Sequence, residues 1–454
     1  MSRAADVAAS ALEAAAGEQA DALVVAERSG LARFAASEVH QPTLIEDVVV
    51  ILRVARDGQI GIASTNRIES EGLRELAARA GEAADSAPRD DDFAGLADPE
   101  PLPEVAGCDD ATAELGPDDQ ARLAASAIAA ATDYPAYGYF TSGVTELAVA
   151  STKGVSASQL MTDATALVIA AGEGASGYAD RTSWSAGEVD PAEVAREAGE
   201  KAARTVGART LDAGHYRAVL EPYAFAELLQ YFAYVCFGAQ SLLEERSYFC
   251  GRLGERVFDE KVSIADDALD PRGLPKAFDF EGMPKQRVQL VEEGVARGFV
   301  WDRQTAARAR DGAATTGHAP PPSLREYGPL PFALSVAPGE ADSADDLVAL
   351  VGDGIYVTRL HYLSIVDPRE GVITGMTRDG TFRIREGRVA EPLVNLRFTV
   401  SVPELLAEVP GLTREPKLAN QSDYYGERFP YGVLTPAIAT TDFNVNGVGS
   451  APGI

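Results

Sequence analysis

Histidine is the commonest metal ligand in proteins, and this chain of 454 residues has four: His40, His215, His318 and His361. A catalytic zinc site needs about three protein ligands and an open position for water. No histidine in the sequence lies within five residues of another, so a metal site would have to be assembled from distant segments. Surface or hydrogen-bonded histidines without a metal are therefore the favoured interpretation.

Two acidic clusters have the residue types of a carboxylate pair. Asp266 and Asp267 form one cluster, and Asp279 with Glu281 forms the other. Such pairs could perform general acid–base catalysis or bind calcium. Both clusters lie in Gly- and Pro-rich sequence, where aspartate side chains commonly accept hydrogen bonds from turn amides. A role in forming turns is therefore favoured over a catalytic one.

The segment from Glu221 to Val235 predicts a buried helix. Pro222 suits the first helical position, and apolar residues on nearly all sides favour burial over a water-filled metal cleft. Glu227 has no histidine near it, so we expect an exposed or paired carboxylate there. Cys236 follows without an electropositive neighbour, which disfavours a role as nucleophile.

The other cysteines, Cys108 and Cys250, bring the total to three, and all are widely spaced. An odd, scattered set indicates neither a disulfide framework nor a zinc ribbon. Small residues in a reducing cytoplasm are the favoured interpretation. The N-terminus lacks the basic-then-apolar pattern of a signal peptide, and no run of about 18 apolar residues is present. We therefore expect a cytoplasmic protein.

Hydrophobic periodicity predicts an α+β fold, with N-terminal units of helices and antiparallel strands before a larger, mostly β domain. Residues 1–88 are assigned to an N-terminal α/β unit and 111–210 to a central α/β unit. Between them, 89–110 is acidic and Pro-rich and predicts a linker. Residues 211–454 form the C-terminal domain. Within the first unit, Asp57 followed by Gly58 predicts a hairpin turn.

Two segments leave alternatives open. The stretch 147–155 echoes 60–68, which fits either an internal duplication or a chance similarity of Ala- and Ser-rich strand ends. Residues 306–330 include three consecutive prolines. That segment predicts a loop that orders only on contact with a partner.

The formal charge of −29 excludes some classes of partner. Such an acidic surface repels nucleic-acid phosphates and anionic membranes, so we expect neither as a direct partner. The acidity fits either a high-salt habitat or a compositional bias against lysine, of which the chain has only six.

Residues 279–299, DFEGMPKQRVQLVEEGVARGF, resemble a characteristic block of the TldD/PmbA family of peptidase-system proteins. Other segments resemble the same family in order and spacing: RFAASEVHQP at 33–42, GIASTN at 61–66, YRAVLEP at 216–222, SYFCGRLGE at 247–255, TTGHA at 315–319, GIYVTRL at 354–360 and IREGRV at 384–389. The resemblance covers nearly the full length and implies the TldD/PmbA type of C-terminal domain.

The resemblance also shows what this chain lacks. Catalytic members of the family carry His-Glu-x-x-x-His on the helix that opens the C-terminal domain, and a C-terminal cysteine as a further zinc ligand. The matching positions here are Gln230, Tyr231 and Val235, and no cysteine follows Cys250. The resemblance therefore implies a subunit without zinc-binding residues, of the kind called TldE or PmbA.

A non-catalytic, TldE-type subunit of a zinc metallopeptidase is the leading hypothesis for function. Its partner would be a TldD-like subunit that supplies the zinc, and its substrate an unfolded protein or peptide. His318, His361 and Tyr362 are the candidate contacts to peptide or partner. The alternatives are a stand-alone peptide- or protein-binding module without peptidase activity and, with less support, a metal-independent hydrolase.

The charge also generates a prediction about stability. Like charges on a compact surface repel, and salt screens them, so the melting temperature should rise between about 0.05 M and about 1 M NaCl. Differential scanning calorimetry at several salt concentrations measures this effect. An unchanged melting temperature would show that self-repulsion contributes little.

Overall fold

The first half of the chain forms one antiparallel sheet of six strands, ordered β3-β2-β1-β4-β5-β6. The structure is a computed structural model, and it describes residues 3–15, 17–309, 312–422, 424 and 428–453. The strands are β1 Gln19–Ala35, β2 Glu38–Arg56, β3 Gln59–Thr65, β4 Ala136–Ser151, β5 Ser156–Gly172 and β6 Ala175–Ser183. The helices of this half are α1 Arg3–Ala14, α2 Ser70–Ser86, α3 Asp110–Ala113, α4 Pro117–Ala130 and α5 Pro191–Arg204.

The sheet consists of two similar units joined through the pairing of β1 with β4. Each unit has a helix, three antiparallel strands and a second helix, since α4, β4–β6 and α5 repeat the order of α1, β1–β3 and α2. Gly61 in β3 and Gly177 in β6 occupy equivalent positions. A Cβ on either would lie within 2.5 Å of the backbone of the following helix, at Ala80 and Ala84 or at Ala198 and Ala202.

The sequence echo does not mark this repeat. Residues 60–68 cover most of β3, the third strand of the first unit. Residues 147–155 cover the end of β4, which is the first strand of the second unit. The two stretches are therefore not equivalent in the fold, and their likeness is the chance similarity of strand ends. The repeat itself lies in the order of the elements.

Successive side chains of a strand point to opposite faces of the sheet, and here the two faces pack against different parts of the chain. On β1, Ala22 and Val24 belong to the cluster that packs under α1 and α2. The intervening Leu23 and Val25 belong to a cluster with Phe278 of the C-terminal domain. One face is therefore covered by helices, and the other receives the second half of the chain.

The C-terminal half contains two sheets. One is a six-stranded sheet ordered β10-β9-β8-β11-β18-β17, and the other has seven strands. The strands of the first are β8 Ile264–Asp266, β9 Val288–Glu292, β10 Val295–Ala296, β11 Leu334–Val336, β17 Lys417–Asn420 and β18 Gly432–Thr435. The strands of the second are β7 Gly214–Leu220, β12 Gly354–Asp367, β13 Val372–Arg385, β14 Arg388–Pro392, β15 Leu396–Ser401, β16 Gly411–Leu412 and β19 Ile438–Val448.

The larger of these sheets closes on itself. Its pairings run from β12 to β7, β19, β15 and β13, and β13 pairs with β12 again. The helices of this half are α6 Pro222–Cys236, α7 Ala239–Leu243, α8 Arg303–Ala309, α9 Ala344–Val351 and α10 Val402–Leu405. The predicted α+β class is confirmed. None of the helices in the described ranges combines the length and apolar character needed to cross a membrane.

The acidic segment 89–110 contacts the C-terminal half. Only Asp110, where α3 begins, is helical, and Leu96 and Ala97 are buried. The Arg303 guanidinium donates hydrogen bonds to the carbonyl oxygens of Ala94, Gly95 and Leu96 at 2.7–3.0 Å. The segment is therefore held against α8 by hydrogen bonds from the Arg303 side chain to its backbone carbonyl oxygens.

The prediction that 306–330 orders only on contact with a partner is wrong for most of the segment. Residues 306–309 belong to α8, Pro322–Tyr327 form a 3₁₀ helix, and 317–321 are buried. Residues 310 and 311 lie outside the described residues. The sequence pattern missed this packing because the buried contacts come from segments distant in the chain, Asp266 and Asp279 among them.

The equivalent glycines generate a prediction. Gly61→Ala and Gly177→Ala should each destabilise the chain by about 1–3 kcal/mol, because the added methyl forces a helix away from its strand. Gly199→Ala is the matched control, since a Cβ at Gly199 in α5 meets nothing within 4 Å. That change should stabilise the chain by about 0.5–1 kcal/mol through helix propensity. Urea unfolding measures all three, and equal effects at the three positions would contradict the close approach.

Candidate functional site

Helix α6 carries Gln230, Tyr231 and Val235, the residues that the family resemblance aligns with a metal-binding motif. It begins after β7, with Glu221 in an extended conformation and Pro222 at the first turn. It packs against β12 of the closed sheet and against β17 and β18 of the other sheet. Phe225, Leu228 and Phe232 have no solvent exposure. The predicted buried helix is therefore confirmed.

One stripe of α6 is only partly buried. It consists of Glu227, Tyr231, Tyr234 and Val235, which recur at helical spacing on one side of the helix. The Tyr234 hydroxyl lies 2.9 Å from that of Tyr431. The ring of Tyr231 lies edge-on to that of Tyr234, with centroids 6.2 Å apart. The stripe therefore presents two tyrosines, a valine and a single carboxyl group, and contributes no histidine or cysteine.

Gln230 lies on the buried side of the same helix. It is 2% exposed, and neither its amide nitrogen nor its amide oxygen has a hydrogen-bond partner among the described residues. A neutral amide in an apolar surround supplies neither the imidazole nor the thiolate that zinc prefers. Tyr231 and Val235 add no suitable donor, so this set does not fit a zinc ion.

The four histidines remain apart in the fold. His40 is exposed on β2, and His215 contacts Asp442 at the surface at 2.6 Å. Over the part of the chain that the structure describes, no group of three or more His, Cys, Asp and Glu could hold a metal ion. Cys236 is buried in α6, and burial raises the pKa of its thiol to about 12, which makes it a poor nucleophile.

A polar cleft of about 200 Å³ opens beside the partly buried stripe of α6. We call it the α6 cleft. Its walls are formed by β4–β6, α6, β12, the end of β17 and the two residues that follow β17. The lining residues are Tyr139, Leu167, Tyr178, Asp180, Tyr223, Glu227, Arg359, Ala419, Asn420, Gln421 and Ser422. Both halves of the chain therefore build this site.

Glu227 is the unpaired acid of the α6 cleft. Its carboxylate is partly buried and has no hydrogen bond or ion pair with any residue in the described ranges, whereas the sequence favoured an exposed or paired one. Burial raises the pKa of Glu227 to about 7, opposed by the charge of Arg359. A carboxyl that titrates near neutral pH can exchange a proton with a ligand. The sequence analysis did not predict this raised pKa, because the segments that pack around α6, β12 and the β17 region, are distant from it in the chain.

A network of ion pairs, hydrogen bonds and a cation–π contact connects the strands that line the cleft with α6. Arg359 donates to Asp379 at 2.9 Å, and its guanidinium lies 4.2 Å from the centre of the Tyr178 ring. The Tyr178 hydroxyl donates to Asp180 at 2.7 Å. Asp180 also accepts the backbone N–H of Asn420 at 3.3 Å, and burial raises its pKa. These contacts tie β6, β12 and β17 together around the cleft.

His361 and Tyr362 lie two and three residues beyond Arg359 on β12. Tyr362 is 75% exposed and has a positive φ of 53°, and its ring centroid lies 4.0 Å from that of His361. Burial, Arg378 and Arg359 lower the pKa of His361 to about 4. His361 is therefore neutral at physiological pH, and Tyr362 is available for contact.

His318 lies far from solvent. Its side chain has no exposure, its Nε2 lies 2.8 Å from Asp266 and its Nδ1 lies 2.9 Å from the Thr316 hydroxyl. The favoured hydrogen-bonded role fits this arrangement, and the side chain offers no surface to a peptide or partner. Asp279 accepts the backbone N–H groups of Glu281, Met283 and Ala319, as the turn interpretation predicts.

Comparison with family models matches the chain in three parts. The models are described as PmbA/TldA metallopeptidase domain 1, central domain and C-terminal domain, and they match residues 20–84, 110–206 and 213–447 respectively. The C-terminal match alone spans more than half of the 454 residues.

Curated relatives are similar over part of their length. A metalloprotease of Methanothermobacter thermautotrophicus is 28% identical over 57% of this chain and 56% of the relative. A TldD metalloprotease homologue of Haemophilus influenzae is 26% identical over 45% of this chain and 42% of the relative. The chain thus matches about half the length of these relatives.

Solved structures share the fold over nearly the whole chain. TldE from Thermococcus kodakarensis has a TM-score of 0.85 at 20% identity and covers 97% of this chain and 99% of its own. A Thermotoga maritima protein titled as a modulator of a DNA gyrase has a TM-score of 0.83 at 19% identity, with 97% and 98% covered. At these identities the likeness concerns the fold alone.

The pKa of Glu227 generates a prediction. The folded chain holds this proton more tightly than the unfolded chain, whose ordinary value is 4.5. The free energy of unfolding should therefore fall as pH rises from about 4.5 to about 7, and the loss should persist above that range. Glu227→Gln should leave stability near that of the parent at pH 4, and exceed it at pH 8 by about 1–3 kcal/mol.

Urea unfolding at the two pH values measures this difference, with Glu200→Gln on the exposed face of α5 as the matched control. A Glu227→Gln effect that is the same at both pH values would show that the carboxyl is ionised normally in the fold.

Proposed function

This chain belongs to the PmbA/TldD metallopeptidase family, and we propose that it serves there as a non-catalytic subunit of the TldE type. In this role it pairs with a TldD-like subunit that carries the zinc. The observation that carries the proposal is the composition of α6, where Gln230, Tyr231 and Val235 take the places of His-Glu-x-x-x-His. These side chains cannot supply the zinc ligands or the general base.

The α6 cleft is the part of this chain that we assign to the peptide. β17 is the last strand of its sheet and has only β18 as a strand neighbour among the described residues. An extended peptide can add to such a strand through backbone hydrogen bonds. Asn420 at the end of β17 lines the cleft, together with Glu227 and Arg359. A carboxyl and a guanidinium in one cleft provide contacts for the charged or polar groups of an unfolded chain.

The exposed part of β12 is the part that we assign to the partner. Tyr362 is 75% exposed, and large exposed aromatic residues are enriched at protein interfaces. Its backbone at φ 53° lies at an irregularity in the pairing of β12 with β13, between His361 and Ser364. The bulge turns the ring away from the strand. His361, neutral and packed on Tyr362, supports the ring in this position.

Co-expression with a family member that carries His-Glu-x-x-x-His tests the proposal. We expect a complex by size-exclusion chromatography, with zinc and chelator-sensitive cleavage of an unfolded substrate such as reduced casein. Changing the partner's two motif histidines to alanine should abolish zinc binding and cleavage but preserve the complex. This chain purified alone from zinc-supplemented medium should contain no stoichiometric zinc.

Two tyrosine variants sharpen the test. Tyr362→Ala should weaken the complex roughly tenfold, whereas Tyr327→Ala, an exposed tyrosine at 54% exposure in the 3₁₀ helix, should not. One tightly bound zinc per chain would overturn the non-catalytic role. A chain that binds peptides but never the metal-bearing subunit would favour a stand-alone binding module instead.

A further inference from the structure

The α6 cleft has the size of a site for one side chain or one chain end. Its volume of about 200 Å³ lies below the range of small-molecule sites, roughly 300–1,000 Å³. Tyrosine, amide, hydroxyl and carboxyl groups form most of its walls. A cleft this small and polar suits the polar end group of a ligand rather than a large apolar body.

Three charged side chains line the cleft, and two of them are engaged by the protein. Arg359 donates to Asp379 at 2.9 Å, and its guanidinium lies 4.2 Å from the centre of the Tyr178 ring. Asp180 accepts the Tyr178 hydroxyl at 2.7 Å and the backbone N–H of Asn420 at 3.3 Å. The guanidinium is already balanced by a carboxylate, so this wall does not favour an anionic ligand.

Glu227 is the third charged group, and it has no hydrogen bond or ion pair within the part of the chain that the structure describes. Its side chain is partly buried and lines the cleft. An unpaired carboxylate in such a place is costly, and burial raises its pKa to about 7 against the opposing charge of Arg359. A cation beside Glu227 would remove this cost, so the chemistry of the position favours a cation.

Tyr231 adds an aromatic ring to this position. It lies four residues after Glu227 on the same stripe of α6, and side chains at that spacing are neighbours on a helix surface. Burial and the charge of Glu227 raise the pKa of Tyr231. A carboxylate next to an aromatic ring binds an ammonium group through an ion pair and a cation–π contact. A metal ion is a poorer match, because it needs several ligands.

We propose that the α6 cleft recognises a primary ammonium group of the peptide, bound by the carboxylate of Glu227 beside the ring of Tyr231. The ammonium comes from a lysine side chain or from the free N-terminus of the peptide, since both present the same chemistry. The inference rests on the assignment of the cleft to the peptide under the proposed function, and it adds the group that is recognised there. It does not require the metal-bearing subunit.

Isothermal titration calorimetry on the full-length chain alone tests the inference. The probes are alanine pentapeptides with norleucine or lysine at the centre, both acetylated and amidated, and the norleucine peptide with a free N-terminus. Either ammonium peptide should bind roughly ten- to hundredfold more tightly than the neutral peptide, as expected for a charge-assisted hydrogen bond. The tighter of the two identifies the source of the ammonium. Buffers contain about 0.15 M NaCl, because the charge of −29 attracts any cation and salt screens that attraction.

Variants assign the contact. Glu227→Gln keeps the shape of the side chain and should abolish the preference for ammonium peptides. Glu200→Gln is the matched control, because it removes the same charge from the exposed face of α5, and it should preserve the preference. Tyr231→Leu should weaken the binding of ammonium peptides several-fold, as expected for the loss of a cation–π contact.

Proton release is a readout that a merely structural role of Glu227 would not change. At pH 7 this carboxyl is about half protonated, and pairing with an ammonium lowers its pKa. Binding of the lysine peptide should therefore release up to about half a proton, which is measured from the binding enthalpies in phosphate and imidazole buffers. Glu227→Gln should abolish the release, and Glu200→Gln should preserve it.

Equal affinity for the ammonium peptides and the neutral peptide would overturn the inference and leave the cleft as a general peptide site. An ammonium preference that survives in Glu227→Gln would also overturn it. The absence of saturation by any of the peptides up to about 10 mM, which corresponds to very weak binding, would overturn both the inference and the assignment of the cleft to the peptide. These titrations contain no metal-bearing subunit, so their failure is distinguishable from a failure of the subunits to assemble.

Discussion

The burial of α6 between the two C-terminal sheets is the constraint on which the rest of this structure depends. Phe225, Leu228 and Phe232 have no exposure, and each fully buried side chain of this size contributes about 1.5–3 kcal/mol of hydrophobic free energy. Most of the helix surface is used in this packing. Only its partly buried stripe, which consists of Glu227, Tyr231, Tyr234 and Val235, can therefore reach a ligand. The polar amide of Gln230 remains on the buried side, without a hydrogen-bond partner in the part of the chain that the structure describes.

The N-terminal sheet provides a platform for this domain. Alternating side chains commit one face to helices and leave the other for the C-terminal half. The helices approach closely because glycine and alanine occupy the contact points, as at Gly61 with Ala80 and at Gly177 with Ala198. The opposite face carries larger apolar residues and a few polar ones, including Thr145 and Asp163. The α6 cleft lies where this platform meets the second half of the chain.

The charges of the α6 cleft balance one another except at Glu227. Arg359 pairs with Asp379, and the Tyr178 hydroxyl donates to Asp180. Glu227 has no such partner among the described residues, and burial raises its pKa to about 7. This arrangement suits the polar peptide groups that we propose as its ligand.

The sequence by itself determined the local features of this protein. Periodicity predicted the α+β class and helix α6. The Asp57–Gly58 pair predicted the hairpin that joins β2 to β3, and ordered motifs pointed to the family. These signals depend on neighbours in the chain, so they can be read without the fold. The tertiary structure alone decided the surroundings of Glu227 in the α6 cleft, the burial of His318 and the packing of 317–321. Those properties depend on groups brought together from distant segments, and no local pattern encodes them.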